Sequence, residues 1–283
     1  MMYIKRACVI IDRKNSAAVE IGRDILRFLN DNGIELVVYP PLYDDLSNVE
    51  YVDDIGRMTG DVAITVGGDG TILRTFLYLQ DKDMPVMGIG LGEKNFLSSV
   101  SREDYLDGLR KLLAGKVYLR QEMRLELSIE GYDVDLPPVL NEVVFATASL
   151  GKTIYPIVSI RDEGELIKIW EGKCDGVIVS TPVGSTAYSR SAGASVVDND
   201  LEAILITPLQ PIKKIPPLVI NPDREVVIWA SRKRHKPIIV LDGQIRVGLN
   251  WEDVIYIKRS RHYANFIVLN RRASVDRLVK STL

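Results

Sequence analysis

The sequence predicts an α/β N-terminal domain on a parallel sheet, followed by a mostly antiparallel β domain. Three observations carry this. Up to about residue 115, apolar β-branched runs alternate with amphipathic helical stretches. Beyond it, short β-rich runs separated by turn signals take over, with few helical periods. And one buried-type run, Val62-Ala63-Ile64-Thr65-Val66, stops at Gly67-Gly68-Asp69-Gly70-Thr71. That places a glycine turn at the carboxyl end of a strand, where open Rossmann-like sheets gather ligands.

The elements follow in order. Residues 3–11 read as a strand. Asn15-Ser16 caps a helix to about Asn30 with Ala18, Ile21, Ile25, Leu26 and Leu29 on one face, and Asp31-Asn32-Gly33 ends it. Residues 34–39 are a second strand, closed by Pro40-Pro41, and 44–58 read as a weaker helix. After the glycine turn comes a helix to about Gln80, then a strand at 84–90. The Ser101-to-Asp104 pattern resembles a capping box ahead of a helix ending at Ala114-Gly115. The runs LELSIE, VLNEVVF, TIYPIVSI, LIKIW, DGVIVS, REVVIWA, PIIVL and VIYIK then read as strands. The domains are set at 1–113 and 114–269, with the amphipathic tail 270–283 expected to pack back on the first.

Composition narrows the chemistry. The 283 residues are 46% hydrophobic and 26% charged, ordinary for a chain burying a real core. The net charge of −2 gives no basic field, so neither nucleic acid nor a membrane is expected as partner. Cys8 and Cys174 have no paired spacing, which excludes a cysteine zinc site and fits a reducing cytoplasm. Only two histidines exist, His235 in a charged run and His262 beside Arg261, and both read as surface residues. A general base is therefore expected to be a carboxylate.

Asp69 is the leading candidate. Three glycines around one acid describe a tight turn that a ligand can approach closely. The helix behind it offers a dipole end suited to phosphate. Phosphate alone has no use for a negative charge, so Asp69 is explained if it holds a metal, accepts a hydroxyl hydrogen bond or takes a proton. Residues 146–153 (ATASLGKT) fit a loosened Walker pattern, but a β-branched run containing Pro156 follows where a helix is required, so this reads as a loop between strands. Gly88-Ile89-Gly90-Leu91-Gly92 lacks the third glycine of a dinucleotide fingerprint. Asn141-Glu142 could read an adenine edge or ribose hydroxyls, though spacing alone favours a strand-start pair facing solvent. In 175–191 (DGVIVSTPVGSTAYSRS), hydroxyls and a helix start converge on what reads as a polar, uncharged pocket, with Tyr188 able to stack on a base. The basic run 232–236 reads as a solvated hairpin tip.

Gly67-Gly68-Asp69-Gly70-Thr71, Asn141-Glu142 and Thr181-Pro182-Val183-Gly184-Ser185-Thr186-Ala187-Tyr188, in this order, resemble the NAD kinase family, archaeal type. The first motif is shared with diacylglycerol and sphingosine kinases; the last singles out NAD kinases. The resemblance covers nearly the whole chain. It implies transfer of the γ-phosphate of ATP, or a phosphate of polyphosphate, to the 2′-hydroxyl of the adenosine ribose of NAD, with Mg²⁺ or another divalent cation carried with the donor and no separate protein-held metal. It implies Asp69 as the base, and Gly68, Gly70 and Thr71 along the phosphates, with a basic contact from Arg74. Asn141 and Glu142 would hold the adenosine half. Lys152, Lys173, Asp175, Thr186, Ala187, Tyr188, Ser191, Gln210 and Gln244 would line the nucleotide site. The chain departs from the family pattern at Val183, where Thr is usual, at Gly90, where Asn is usual, and at Asn95, where Gly is usual. The resemblance also implies a homodimer or homotetramer. Two rivals stand beside this reading. A lipid kinase sharing the GGDG turn would need an apolar acceptor groove. A non-catalytic NAD-binding regulator would need no intact Asp69.

Overall fold

The structure is a computed structural model that describes residues 3–42, 46–79, 83–92, 95–149 and 151–270. In chain order its elements are β1 (Arg6–Ile11), α1 (Ser16–Asp31), β2 (Glu35–Tyr39), β3 (Val49–Tyr51), β4 (Val62–Gly67), α2 (Asp69–Tyr78), β5 (Val86–Gly90), β6 (Val100–Ser101), α3 (Tyr105–Leu113) and β7 (Tyr118–Glu122). There follow β8 (Leu125–Ile129), β9 (Glu142–Thr147), β10 (Pro156–Asp162), β11 (Glu165–Glu171), β12 (Gly176–Ser180), a 3-10 turn (Val183–Thr186) and α4 (Tyr188–Ser191). The chain ends with β13 (Ile204–Leu209), β14 (Leu218–Ile220), β15 (Glu225–Ala230), β16 (Pro237–Leu241), β17 (Ile245–Gly248), β18 (Ile255–Arg259) and β19 (Ala264–Val268). It divides into two compact units, residues 1–122 with 263–283, and residues 123–262.

In the first unit the sheet runs β3-β2-β1-β4-β5-β19-β7, with β6 on β5. Its pairs are parallel except β19 on β7, so the expected parallel sheet carries an antiparallel edge. The Asn15 side chain caps α1 by accepting from the N–H groups of Ala17 and Ala18. The predicted apolar face of α1 is buried against β1, β2 and β4. Gly22 lets helix and strand close up, because a Cβ there would stand 2.5 Å from Ile11 Cδ1. The sequence boundary after residue 113 moves: Tyr118–Glu122 pairs along Ala264–Val268 and so belongs to this unit. The weaker helix expected over 44–58 is corrected too. Val49 and Tyr51 pair with Leu36 and Val38 as β3, and one 3-10 turn follows at Ile55–Arg57. A sheet partner overrides the local helical signal there. The tail 271–283 and residues 43–45 lie outside the described residues.

The second unit holds two antiparallel sheets, β11-β10-β15-β18-β8 and β14-β13-β12-β9-β16-β17. All eight runs read as strands from the sequence are strands here. The Walker-like stretch lies between β9 and β10 and leads into a strand, as expected. At the basic tip, Arg232 lies over the Tyr155 ring and Lys233 pairs with Glu252. Among the described residues no helix is long and apolar enough to cross a membrane.

Candidate active site

In the first unit, β4 is buried along its length and delivers the chain to Gly68, the N-cap of α2. Gly67 is required by packing: a Cβ there would stand 3.0 Å from Thr71 Cβ and 3.1 Å from Asp12 Cβ. Gly68 and Gly70 are different. A Cβ on either would meet nothing within 4 Å, and neither has a positive φ. Neither packing nor backbone strain in this chain requires them, and both leave the backbone open to close approach.

Asp69 is the first residue of α2 and is half-exposed. Both of its carboxylate oxygens are held from the loop after β5: Oδ2 accepts the Phe96 N–H at 3.0 Å and Oδ1 the Leu97 N–H at 2.9 Å. Each oxygen keeps a second lone pair for a further donor. The carboxylate is thus fixed in place and still able to take a hydroxyl hydrogen bond. This support was not foreseen from sequence, because it comes from backbone groups 27 and 28 residues away.

The same loop accounts for two departures from the family pattern. A Cβ on Gly90 would lie 2.5 Å from both Asn95 Nδ2 and Ser98 Oγ, so the Asn95 amide fills the space beside Gly90 and donates to the Gly92 carbonyl. The two substitutions form one exchange across the loop. The bonds to Asp69 use only main-chain N–H groups and do not depend on it. Thr71 is half-buried, and its carbonyl accepts from Thr75 Oγ1 at 2.9 Å. Arg74 is exposed one turn further on, lies over the Tyr39 ring and donates to its hydroxyl.

In the second unit, Asn141 and Glu142 are 8% and 6% exposed, which overturns the solvent-facing reading. They start β9, the strand flanked by β12 and β16. Asn141 Oδ1 and Glu142 Oε2 are buried with no protein partner among the described residues. Such atoms cost free energy unless something satisfies them. Burial, and then the charge of Asp242, push the Glu142 carboxyl up to about 8, while the Tyr188 backbone N–H acts in the opposite sense.

The 3-10 turn and α4 complete this end of the unit. Thr181 Oγ1 donates to Leu140 O at 2.6 Å, Ser185 Oγ to Pro182 O at 2.6 Å and Thr186 Oγ1 to Val183 O at 3.0 Å, and Ser180 Oγ and Ser189 Oγ share a 2.8 Å bond. These hydroxyls donate to carbonyls of the turn itself and of the segment just before β9, and each keeps acceptor lone pairs. The expected helix terminus is a single turn of four residues. Thr186 and Ala187 are half-exposed, Tyr188 is 47% exposed, and Ser191 is exposed at the end of α4. Gln244 lies two residues after Asp242 in the turn after β16, and the Asp242 carboxylate accepts the N–H groups of Leu140, Asn141 and Glu142.

Lys152, Lys173, Asp175 and Gln210 group elsewhere. Gly176 pairs with Ala146 and Leu209, whereas Ser180 pairs with Glu142. These four residues thus lie toward the opposite end of β12, separated from Asn141 and Glu142 by about 3.3 Å per strand residue. Lys152, Asp175 and Gln210 are exposed and Lys173 is half-exposed. Gln210 has a φ of 44°.

Two family models match this chain: the ATP-NAD kinase N-terminal domain over residues 8–117 and the ATP-NAD kinase C-terminal domain over 140–269. The NAD kinase of Methanothermobacter thermautotrophicus is 38% identical over 256 residues, 90% of this chain and 88% of that protein. The NAD kinase of Thermococcus gammatolerans is 32% identical, covering 92% of each. Among solved structures, an NAD kinase from Archaeoglobus fulgidus in complex with ATP matches with a TM-score of 0.78 and 26% identity over 98% of each chain. Yeast NADH kinase complexed with NADH matches with a TM-score of 0.85 at 21% identity, over 98% of this chain and 87% of that one, and supports the fold.

Proposed function

The chain belongs to the NAD kinase family, and from that premise we propose that it transfers the γ-phosphoryl group of ATP to the 2′-hydroxyl of the adenosine ribose of NAD, forming NADP and ADP. The observation that carries this reading is the held carboxylate of Asp69 beside two glycines that packing does not explain. Phosphoryl transfer needs alignment and charge neutralisation more than covalent help. Asp69 orients the 2′-hydroxyl and accepts its proton as the new P–O bond forms and the bond to the leaving ADP oxygen breaks. Gly68, Gly70 and Thr71 let the phosphates approach the backbone, and Arg74, steadied by Tyr39, offers them a cation.

Asn141 and Glu142 bind the adenosine half of NAD, which gives their unpartnered oxygens donors and acceptors. Thr186, Ala187, Tyr188, Ser191 and Gln244 frame that half-site. Lys152, Lys173, Asp175 and Gln210 are assigned to nucleotide contacts on the family resemblance. Among the described residues no three His, Cys, Asp or Glu side chains stand together as a metal cage. The divalent cation expected with the donor would be carried on the substrate side, where it would supply charge neutralisation during transfer. Copies of the chain are proposed to associate, supported by β11, an edge strand exposing Leu166 and Ile167.

The test is NADP formation by the purified protein from NAD and Mg²⁺, with ATP and polyphosphate in parallel; no NADP with either donor would reject the assignment. A second outcome follows from Gly70. In a helix Ala is favoured over Gly by up to ~1 kcal/mol, and a Cβ there meets open space. Gly70→Ala is expected to keep or raise Tm while raising KM for the donor several-fold. A lowered Tm with unchanged KM would place Gly70 in the scaffold.

A further inference from the structure

Asp242 belongs to no motif discussed so far, yet it is 5% exposed and one carboxylate organises three consecutive residues of the NAD half-site. Its Oδ2 accepts the Leu140 N–H at 2.8 Å, and its Oδ1 accepts those of Asn141 at 2.8 Å and Glu142 at 3.0 Å. Its own N–H donates to Glu142 O at 3.0 Å. From the other side Thr181 holds the same segment, its N–H donating to Asn141 O at 2.9 Å and its hydroxyl to Leu140 O. With the main chain clamped in this way, the side-chain atoms Asn141 Oδ1 and Glu142 Oε2 are left for something other than protein.

We propose that Asp242 is a positioning residue of the NAD half-site: its carboxylate sets the backbone of residues 140–142 and keeps a negative charge beside Glu142, so that Asn141 and Glu142 meet the adenosine half of NAD as an uncharged pair. This rests on the substrate reading above and adds to it the residue that shapes the half-site and the charge state in which it works. Two buried carboxyls side by side do not both ionise readily. Burial pushes both upward, but three N–H donors and the guanidinium of Arg124 act on Asp242 in the opposite direction. Asp242 stays raised overall, and it is the three N–H bonds to its carboxylate, against the one Tyr188 N–H acting on Glu142, that put the negative charge on Asp242 and the proton on Glu142 in the proposed half-site. Arg124 is 1% exposed and also donates to Pro138 O, in the segment leading to residue 140.

The charged groups acting on Glu142 are few. Asp242 comes from the turn after β16, with Arg124 behind it from the start of β8. Among the described residues, α4 contributes only the Tyr188 backbone N–H and β12 the uncharged Ser180. A protonated Glu142 donates one hydrogen bond and accepts another, and adds no charge to a half-site that receives an anionic dinucleotide.

The sign of the pH dependence follows. With the Glu142 carboxyl at about 8, NAD affinity is full below that value and falls as pH rises through it. Asp242→Asn removes the neighbouring negative charge that raises the Glu142 carboxyl, so Glu142 ionises at lower pH. It also replaces an acceptor of three N–H groups by an amide with a single acceptor oxygen. The experiment is the Kd of NAD by calorimetry from about pH 6 to about pH 9 on the full chain. The wild type is expected to lose affinity on the alkaline side. Asp242→Asn is expected to bind NAD roughly 10–100-fold more weakly at neutral pH, the loss of a buried charge-assisted bond, with its fall displaced to lower pH. An unchanged pH profile, or affinity within twofold of wild type, overturns the proposal. Should Asp242→Asn not fold, Glu142→Gln, neutral at every pH, must lose the alkaline fall, and persistence of the fall overturns the assignment. Absence of NAD binding by the wild type at every pH overturns the substrate reading and this inference with it.

Discussion

Asp69→Asn is expected to cut NADP formation by ~10²–10⁴-fold, the range for loss of a positioned base, while NAD binding stays within a few fold. The argument begins with the two oxygens. Each accepts one main-chain N–H, from Phe96 and Leu97, and each keeps a lone pair for the 2′-hydroxyl. An asparagine keeps one acceptor and turns a donor toward the other N–H. The variant therefore loses both proton acceptance and half of its own anchorage. The loss corresponds to about 3–5 kcal/mol of transition-state stabilisation. On the proposed reading, ground-state recognition of NAD falls to Asn141 and Glu142, so affinity is not expected to follow turnover. The check is kcat for NADP formation beside an independent NAD Kd; turnover near wild type would remove Asp69 from the chemistry.

How far the site was legible depended on whether a signal was local. The β4 run, its glycine turn and α2 could be read directly, because period, glycine and helix start lie within thirteen residues of one another (61–73). The capped, amphipathic α1 was equally plain. Groups that act from a distance were not. Asp242 reaches Leu140 across 102 residues, and nothing in its neighbourhood advertises three N–H groups waiting for it. Phe96 and Leu97 serve Asp69 through their main chain, which residue type does not report. The burial of Asn141 and Glu142 could not be read from spacing, since it comes from β12 and β16 closing on either side of β9. The stretch 180–189 shows a different limit. Its hydroxyls read as lining a ligand pocket, but residue type does not say that several of them also bond within the fold. β3 was missed because three residues become a strand only beside β2.

Gly184→Ala is expected to lower NAD affinity by at least ~10-fold and to destabilise the second unit by ~1–3 kcal/mol, the usual cost of overpacking. A Cβ on Gly184 would stand 2.6 Å from Asn141 C and 2.9 Å from its Cα, with the carbonyl oxygen closer still. All three are main-chain atoms, so no rotamer change relieves the clash. Nor can the segment retreat freely. Asn141 O accepts the Thr181 N–H, the Asn141 N–H is held by Asp242, and Gly184 N–H itself donates to Thr181 Oγ1 at 3.1 Å. Moving Asn141 therefore breaks bonds on both sides and carries Asn141 Oδ1 and Glu142 Oε2 away from where NAD would meet them. This is why the glycine of the Thr181–Tyr188 stretch and the Asn141-Glu142 pair depend on each other although the sequence keeps them more than forty residues apart. The control is Gly248→Ala in the same unit, where a Cβ meets open space on the exposed face of β17 and both quantities should stay near wild type. Tm and the NAD Kd, measured well below the melting range, check the prediction. A Gly184→Ala protein that matches the Gly248→Ala control in both would show that the 140–142 segment yields to the added methyl group, and that the geometry of the pair is not what NAD recognition depends on.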